Sequence, residues 1–121
     1  MSMLKFIWYP KCTTCQKAKQ WLDDHNVEYE CRDIKFAAPT REELAKWYSQ
    51  SGLPLKKFFN TSGLLYRSMD LKNKLPELTE EEMLDLLASD GMLVKRPLLI
   101  GEELVLVGFR EVEYRQNCSI D

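Results

Sequence analysis

The first thirty-odd residues of the chain show three different apolar patterns in succession. Residues 4–9 are apolar at five of six positions and rich in aromatic side chains, which predicts a strand buried on both faces that ends at Pro10. Residues 13–25 carry apolar side chains at helical spacing, which predicts an amphipathic helix on whose buried face lie Cys15, Ala18 and Leu22, with Trp21 beside them. Residues 27–32 alternate with a period of two, which predicts a strand with one buried face. Together they predict a β-α-β unit.

Two further helices are indicated by their start signals. Thr40 and Glu43 have the spacing of a capping box and precede an apolar stripe that Gly52 ends. Thr79 and Glu82 repeat this pattern before a leucine-rich stretch that Gly91 ends. Between them, residues 53–78 have mixed polarity and contain glycine and proline, so we expect short helical pieces and loops there.

The last third of the chain predicts two more strands and a helix. Residues 98–100 and 104–107 are short β-prone runs joined by a glycine-containing turn, as in a hairpin. Residues 109–118 predict a final helix. The pattern therefore predicts one α/β domain over residues 1–121, with a mixed four-stranded sheet and a helical insertion at about 38–92.

Composition excludes several functional classes. The 121 residues are 45% apolar, and 17 basic residues nearly balance 19 acidic ones, so we expect no direct nucleic-acid binding. The apolar run near the start is too short for a signal peptide, and we find no membrane-spanning segment. Four cysteines are too few for a disulfide-stapled secreted scaffold. We expect a cytoplasmic monomer without a tightly bound cofactor.

The segment Pro10-Lys11-Cys12-Thr13-Thr14-Cys15 carries the main candidate chemistry. At a helix start, unpaired backbone N–H groups and the helix dipole favour the thiolate of Cys12, and Lys11 adds positive charge. Cys12 is therefore the candidate nucleophile. Cys15 lies nearly one helical turn later, which allows a disulfide with Cys12 or the resolution of a mixed one. The alternative for Cys15 is a small buried hydrophobic side chain.

For the remaining candidate metal ligands we expect structural roles. A zinc site is the alternative for the cysteine pair, but His25, Cys31 and Cys118 do not supply a second close pair. We expect Cys31 to pack on the apolar face of its strand, Cys118 to be exposed in the tail and His25 to be a solvated helix cap.

A second motif, Lys95-Arg96-Pro97, directly precedes the strand at 98–100. Proline there can hold a tight turn, in either the trans or the cis form. The guanidinium of Arg96 offers a rigid set of donors to an oxyanion or to a glutathione carboxylate near Cys12. The alternative is an ordinary solvated charge.

The Pro-x-Cys-x-x-Cys motif followed by Lys17-Ala18, the helical insertion and Arg96-Pro97 before a terminal hairpin together resemble the ArsC/Spx family. The resemblance implies a thioredoxin/glutaredoxin-like fold and either of two functions. One is that of arsenate reductases linked to glutathione and glutaredoxin, and for this chain we expect glutathione, glutaredoxin or thioredoxin as the redox partner. The other is that of Spx-type regulators, which bind RNA polymerase at the C-terminal domain of its α subunit.

By the same resemblance, Cys12 matches the family's nucleophile, Arg96 its arginine and Pro97 its cis-proline. Cys15 matches the second cysteine of Spx-type members, which use the pair as a disulfide switch, whereas reductases of the family have only the first. We expect Lys11, Thr13 and Pro97 to contact a glutathione cosubstrate.

Two arginines of the reductases are not matched firmly. Asn60 stands where the insertion arginine is expected, with Arg67 several residues later, and Arg110 is the candidate for the one after the last strand. Because an arsenate transition state would then lack preorganised donors, we expect inefficient arsenate turnover.

Gly52 matches a glycine at the polymerase-binding surface of Spx-type proteins, but a glycine there also suits a helix C-cap. Enzyme and regulator both remain open at this point.

Overall fold

A computed structural model describes residues 3–118 of the chain. Its strands are β1 Leu4–Trp8, β2 Tyr29–Asp33, β3 Leu98–Ile100 and β4 Val105–Val107. Its helices are α1 Thr13–Asp24, α2 Arg41–Ser51, α3 Leu64–Ser68, α4 Leu71–Lys74, α5 Glu80–Ser89 and α6 Glu111–Asn117. None of these helices is long and apolar enough to cross a membrane.

The chain divides into two compact units. The described part of the first comprises residues 3–33 and 96–118, and the second is Ile34–Lys95. The prediction of one domain with an insertion at about 38–92 stays a prediction.

The first unit contains a mixed four-stranded sheet in the order β2-β1-β3-β4. Strand β1 pairs in parallel with β2 and antiparallel with β3, and β4 is antiparallel to β3. Phe6 and Ile7, successive residues of β1, are both fully buried, and they point to opposite faces because side chains alternate along a strand. The predicted strand buried on both faces and the predicted hairpin are confirmed.

The core of the first unit lies on the Phe6 face of the sheet. Helices α1 and α6 contribute to it, and it consists of Phe6, Ala18, Trp21, Leu22, Leu99, Leu106 and Tyr114. The predicted buried face of α1 is confirmed, because its buried residues are Cys15, Ala18, Trp21 and Leu22. This packing fixes the direction of α1, so the first turn of that helix has a defined place at the end of β1.

The predictions for two cysteines are wrong. Cys31 is exposed, because β2 is an edge strand and the core does not extend over its middle, although Phe6 is its register partner. Cys118 is half-buried and packs against the core, because helix α6 carries it back onto the sheet. His25 is the C-cap of α1 as predicted, but its ring stacks on Trp21 with centroids 4.0 Å apart.

The second unit is helical, and its two longer helices, α2 and α5, start at the predicted capping boxes. The Thr40 hydroxyl accepts from the Glu43 amide while the Glu43 carboxylate accepts from the Thr40 amide, and Thr79 and Glu82 do the same for α5. The guanidinium of Arg41 on α2 binds the carboxylates of Glu81 and Asp85 on α5. The stretch between the two helices forms short pieces, as predicted: α3, α4 and two 3₁₀ turns, Leu55–Phe58 and Leu75–Glu77.

Gly91 begins a 3₁₀ turn, Gly91–Leu93, at a position that has no room for a side chain. An added Cβ would lie 2.1 Å from the carbonyl oxygen of Ile34 and 3.2 Å from the Cβ of Ala38. Because backbone must move to relieve this overlap, we expect Gly91→Ala to lower the free energy of unfolding by about 2 kcal/mol, measured by denaturant titration.

Gly63→Ala is the matched control for this prediction. The nearest atom to its added Cβ is the side-chain nitrogen of Asn60 at 2.7 Å, at the end of a side chain that can rotate away. Equal losses of stability in the two variants would contradict the close approach at Gly91.

Candidate functional site

Cys12 is the N-cap residue of α1. Its backbone is extended, with φ −86° and ψ 120°, and its Sγ accepts the backbone N–H of Cys15 at 3.4 Å. A cysteine sulfur therefore occupies the place that a serine or aspartate oxygen takes at most helix starts, and it satisfies one of the orphan amides there.

The turn before Cys12 is built by local sequence. The amide of Cys12 donates to the carbonyl of Tyr9 at 2.9 Å, and Pro10 occupies the turn position for which its fixed φ is suited. The side-chain amide of Gln16 donates to the carbonyl of Pro10 at 2.7 Å. These two hydrogen bonds tie the turn to the first helical turn and hold the sulfur at the helix end.

The environment of Cys12 favours its thiolate. Partial burial raises the pKa of Cys12, but this is outweighed by hydrogen bonds from the Cys15 amide and thiol, the positive charge of Arg96 and the amide of Thr14. The net effect holds the pKa of Cys12 below its usual value. A lowered pKa with partial exposure is the environment of reactive cysteines.

Cys15 has the opposite environment. Its side chain is fully buried, and this burial raises the pKa of Cys15 to about 12; hydrogen bonding and proximity to Cys12 also raise it, while the Tyr9 amide lowers it. Cys15 is therefore a thiol at neutral pH and can donate its S–H to Cys12. All four cysteines are free thiols in this structure.

Arg96 and Pro97 lie directly before β3. The peptide bond between them is cis, and Pro97 is buried with its carbonyl accepting the amide of Gly108 at 2.8 Å. The guanidinium carbon of Arg96 lies 5.1 Å from the ring centroid of Tyr9. Strand pairing of β3 with β1 thus brings Arg96 to the end of β1, where its charge acts on both cysteines.

The structure brings together three of the predicted site residues, Cys12, Cys15 and Arg96. Lys11 and Thr13 are exposed in the turn and at the first helical position. Arg110 is exposed at the N-cap of α6. Asn60 and Arg67 belong to the second unit, before and within α3.

Two contributors were missed from the sequence. Thr14 acts on Cys12 through its backbone amide, which any residue except proline would supply at that position. The ring of Tyr9 lies against the guanidinium of Arg96, a residue 87 positions further along the chain. The available signal was an aromatic residue immediately before the Pro-x-Cys turn.

Among residues 3–118, no three histidine, cysteine, aspartate or glutamate side chains are arranged to hold a metal ion. What the arrangement can supply is a nucleophilic thiolate, an adjacent protonated thiol and one guanidinium.

A family model described as the ArsC family matches residues 7–117 of the chain. The chain belongs to the ArsC family. This membership confirms the resemblance drawn from the Cys-x-x-Cys and Arg-Pro motifs. The fold is the expected thioredoxin-like α/β fold with a mixed four-stranded sheet.

Individual relatives span nearly the whole chain. YusI of Bacillus subtilis is 54% identical over 96% of this chain and 98% of that protein. The regulatory protein MgsR of the same organism is 32% identical over 91% of this chain and 86% of its own length. A solved ArsC family related protein from Bacteroides fragilis is 53% identical with a TM-score of 0.93, covering 95% of this chain and 97% of that one. One of these relatives is thus named as a regulatory protein.

Proposed function

We propose that this ArsC family protein is a thiol-disulfide oxidoreductase in which Cys12 is the nucleophile and Cys15 the resolving thiol. Glutathione, or a protein thiol of the glutaredoxin or thioredoxin kind, is the proposed reductant. Lys11, Thr13 and Pro97, which neighbour Cys12 and Arg96 in the chain, are proposed to contact that cosubstrate.

The observation that carries the proposal is the contrast between the two cysteines. Cys12 is half-buried at the N-cap of α1, and the Cys15 amide and the Arg96 charge lower its pKa, while full burial raises the pKa of Cys15 to about 12. The environment thus favours the thiolate of Cys12 as the attacking group, while Cys15 remains a protonated thiol. Two cysteines with a purely structural role would not require pKa values shifted in opposite directions.

The proposed reaction has two exchange steps. The Cys12 thiolate attacks one sulfur of a substrate disulfide, so that a mixed disulfide forms and the first substrate thiolate leaves. The Cys15 sulfur then attacks Cys12 Sγ, closing the Cys12–Cys15 disulfide and releasing the second substrate thiolate, which takes up the Cys15 proton. The substrate gains two electrons and the protein loses two. Two molecules of glutathione restore the dithiol and become glutathione disulfide.

Efficient arsenate reduction is not part of the proposal. An arsenate oxyanion requires several donors fixed around it in the transition state. Arg96 is the cation whose charge acts on Cys12, whereas Asn60 replaces one expected arginine and Arg110 is exposed. A single cation beside a dithiol suits a disulfide better than an oxyanion, because disulfide exchange develops charge mainly on sulfur.

The test is an assay of disulfide reduction by the full chain, with glutathione, glutathione reductase and NADPH, and with thioredoxin and its reductase in a parallel series. We expect NADPH oxidation that depends on the protein and on a small mixed-disulfide substrate, and that exceeds the rate with arsenate. Turnover no faster than in the absence of the protein, in both series, would rule out this function.

A redox-switched regulator is the second candidate. It is favoured by the intact Cys-x-x-Cys pair and by 32% identity to the regulatory protein MgsR. In this function, oxidation of Cys12 and Cys15 would alter how the chain docks on the C-terminal domain of the α subunit of RNA polymerase. Titration of that domain with the reduced and oxidised chain tests it, and absence of binding in both states would remove it. Gly52 adds little, because its φ of 70° is that of an ordinary αL helix C-cap.

A further inference from the structure

Tyr9 contacts the three groups of the proposed site at once. Its ring centroid lies 5.1 Å from the guanidinium carbon of Arg96. Its carbonyl accepts the Cys12 amide at 2.9 Å, and its own amide hydrogen-bonds the Cys15 sulfur. The two backbone contacts do not depend on the side chain, so a separate reason is needed for an aromatic ring at this position.

The geometry of the stack supplies that reason. An arginine is long and rotamer-rich, and its charge stabilises a thiolate only while the guanidinium is held nearby. Stacking on an aromatic ring uses the face of the guanidinium and leaves its N–H edge directed elsewhere. The ring of Tyr9, which lies under the guanidinium of Arg96, can therefore help to hold that charge near Cys12.

We infer that Tyr9 is a positioning residue, whose ring holds the guanidinium of Arg96 where it stabilises the negative charge on Cys12. This inference rests on the proposed function and deepens it. In this inference the ring of Tyr9 acts on Cys12 through Arg96. An aromatic residue that merely filled space would show no dependence on Arg96.

The test measures the pH dependence of Cys12 alkylation by iodoacetamide in the full chain, with the modified cysteine identified by peptide mass spectrometry. The variants are Tyr9→Leu, Tyr9→Phe, Arg96→Met and the double variant Tyr9→Leu/Arg96→Met. Tyr9→Asn is a second non-aromatic variant in case the leucine variant does not fold, and circular dichroism checks folding. Tyr66→Leu, at a half-buried tyrosine of the second unit, is the control.

We expect Tyr9→Leu to raise the pKa of Cys12, by no more than Arg96→Met does, because the guanidinium is then near the thiolate for less of the time. Tyr9→Phe should retain the wild-type value, because it keeps the ring face. In the Arg96→Met background, Tyr9→Leu should cause no further rise. Tyr66→Leu should leave the titration unchanged.

Equal shifts from Tyr9→Leu with and without Arg96 would overturn the inference, because the residue would then act through its backbone or through general packing. No shift in the wild-type background would overturn it as well. These outcomes are separable from failure of the proposed function, because the titration does not require turnover. The chain could show no disulfide turnover while Tyr9→Leu still raises the pKa of Cys12 only when Arg96 is present. That result would refute the oxidoreductase function and support the positioning role of Tyr9.

Discussion

Disulfide reduction by a Cys12→Ser variant is expected to fall by roughly a thousandfold or more, to the background rate of glutathione alone. A serine hydroxyl at the N-cap of α1 accepts the Cys15 amide as the sulfur does, so the helix start is preserved. What is lost is the thiolate, and a hydroxyl is not deprotonated at neutral pH. The measurement is initial NADPH oxidation in the assay linked to glutathione reductase.

Two cysteine variants serve as controls. Cys15→Ser retains the attacking thiolate but not the resolving thiol, so the protein should accumulate as a mixed disulfide that intact-mass spectrometry detects. Cys31→Ser changes an exposed thiol on an edge strand and should retain wild-type turnover. Full activity in Cys12→Ser, or equal loss in Cys31→Ser, would contradict the assignment of the nucleophile.

Phe6→Ala is expected to lower the free energy of unfolding by about 3–5 kcal/mol. Phe6 is fully buried in β1, and its ring contacts Trp8 and Tyr29, with centroid distances of 5.9 and 5.6 Å. Removing it leaves a cavity at the centre of the sheet, whose neighbours are held by backbone pairing on both sides and cannot close it. Denaturant unfolding measures the loss.

Phe36→Ala removes the same atoms at a position that is 84% exposed, and it is the matched control. We expect a change below about 0.5 kcal/mol, as for surface substitutions in general. A loss at Phe6 no larger than the loss at Phe36 would contradict the placement of the core.

Features fixed by residues close together in the chain could be predicted from the sequence. The capping boxes of Thr40 with Glu43 and Thr79 with Glu82 lie where expected, because each is closed within one helical turn. The position of Cys12 at a helix start follows from Pro10 and the apolar stripe of α1 in the same way. The placement of Cys12, the candidate nucleophile, at the start of a helix could therefore be predicted without the structure.

Features that depend on strand order could not be predicted from the local pattern. The alternation around Cys31 predicts a buried face, but burial requires a covering layer, and an edge strand lacks it at that point. The stack of Tyr9 on Arg96 depends on β3 pairing beside β1, which no short-range signal encodes. The Arg-Pro motif marked Arg96 as a candidate anion-binding residue near Cys12, whereas Tyr9 has no motif of its own.

The central claim is that Cys12 loses its proton at lower pH than an ordinary thiol does, whereas Cys15 stays protonated well above neutral pH. It is tested most directly by the alkylation rate of each cysteine in the reduced wild-type chain as a function of pH. Because the pKa of Cys12 is lowered, its rate should rise and level off at lower pH than that of an ordinary thiol. Because the pKa of Cys15 is raised to about 12, its rate should still be rising at strongly alkaline pH. A Cys12 rate that follows that of an ordinary thiol, or two cysteines that titrate together, would contradict the account.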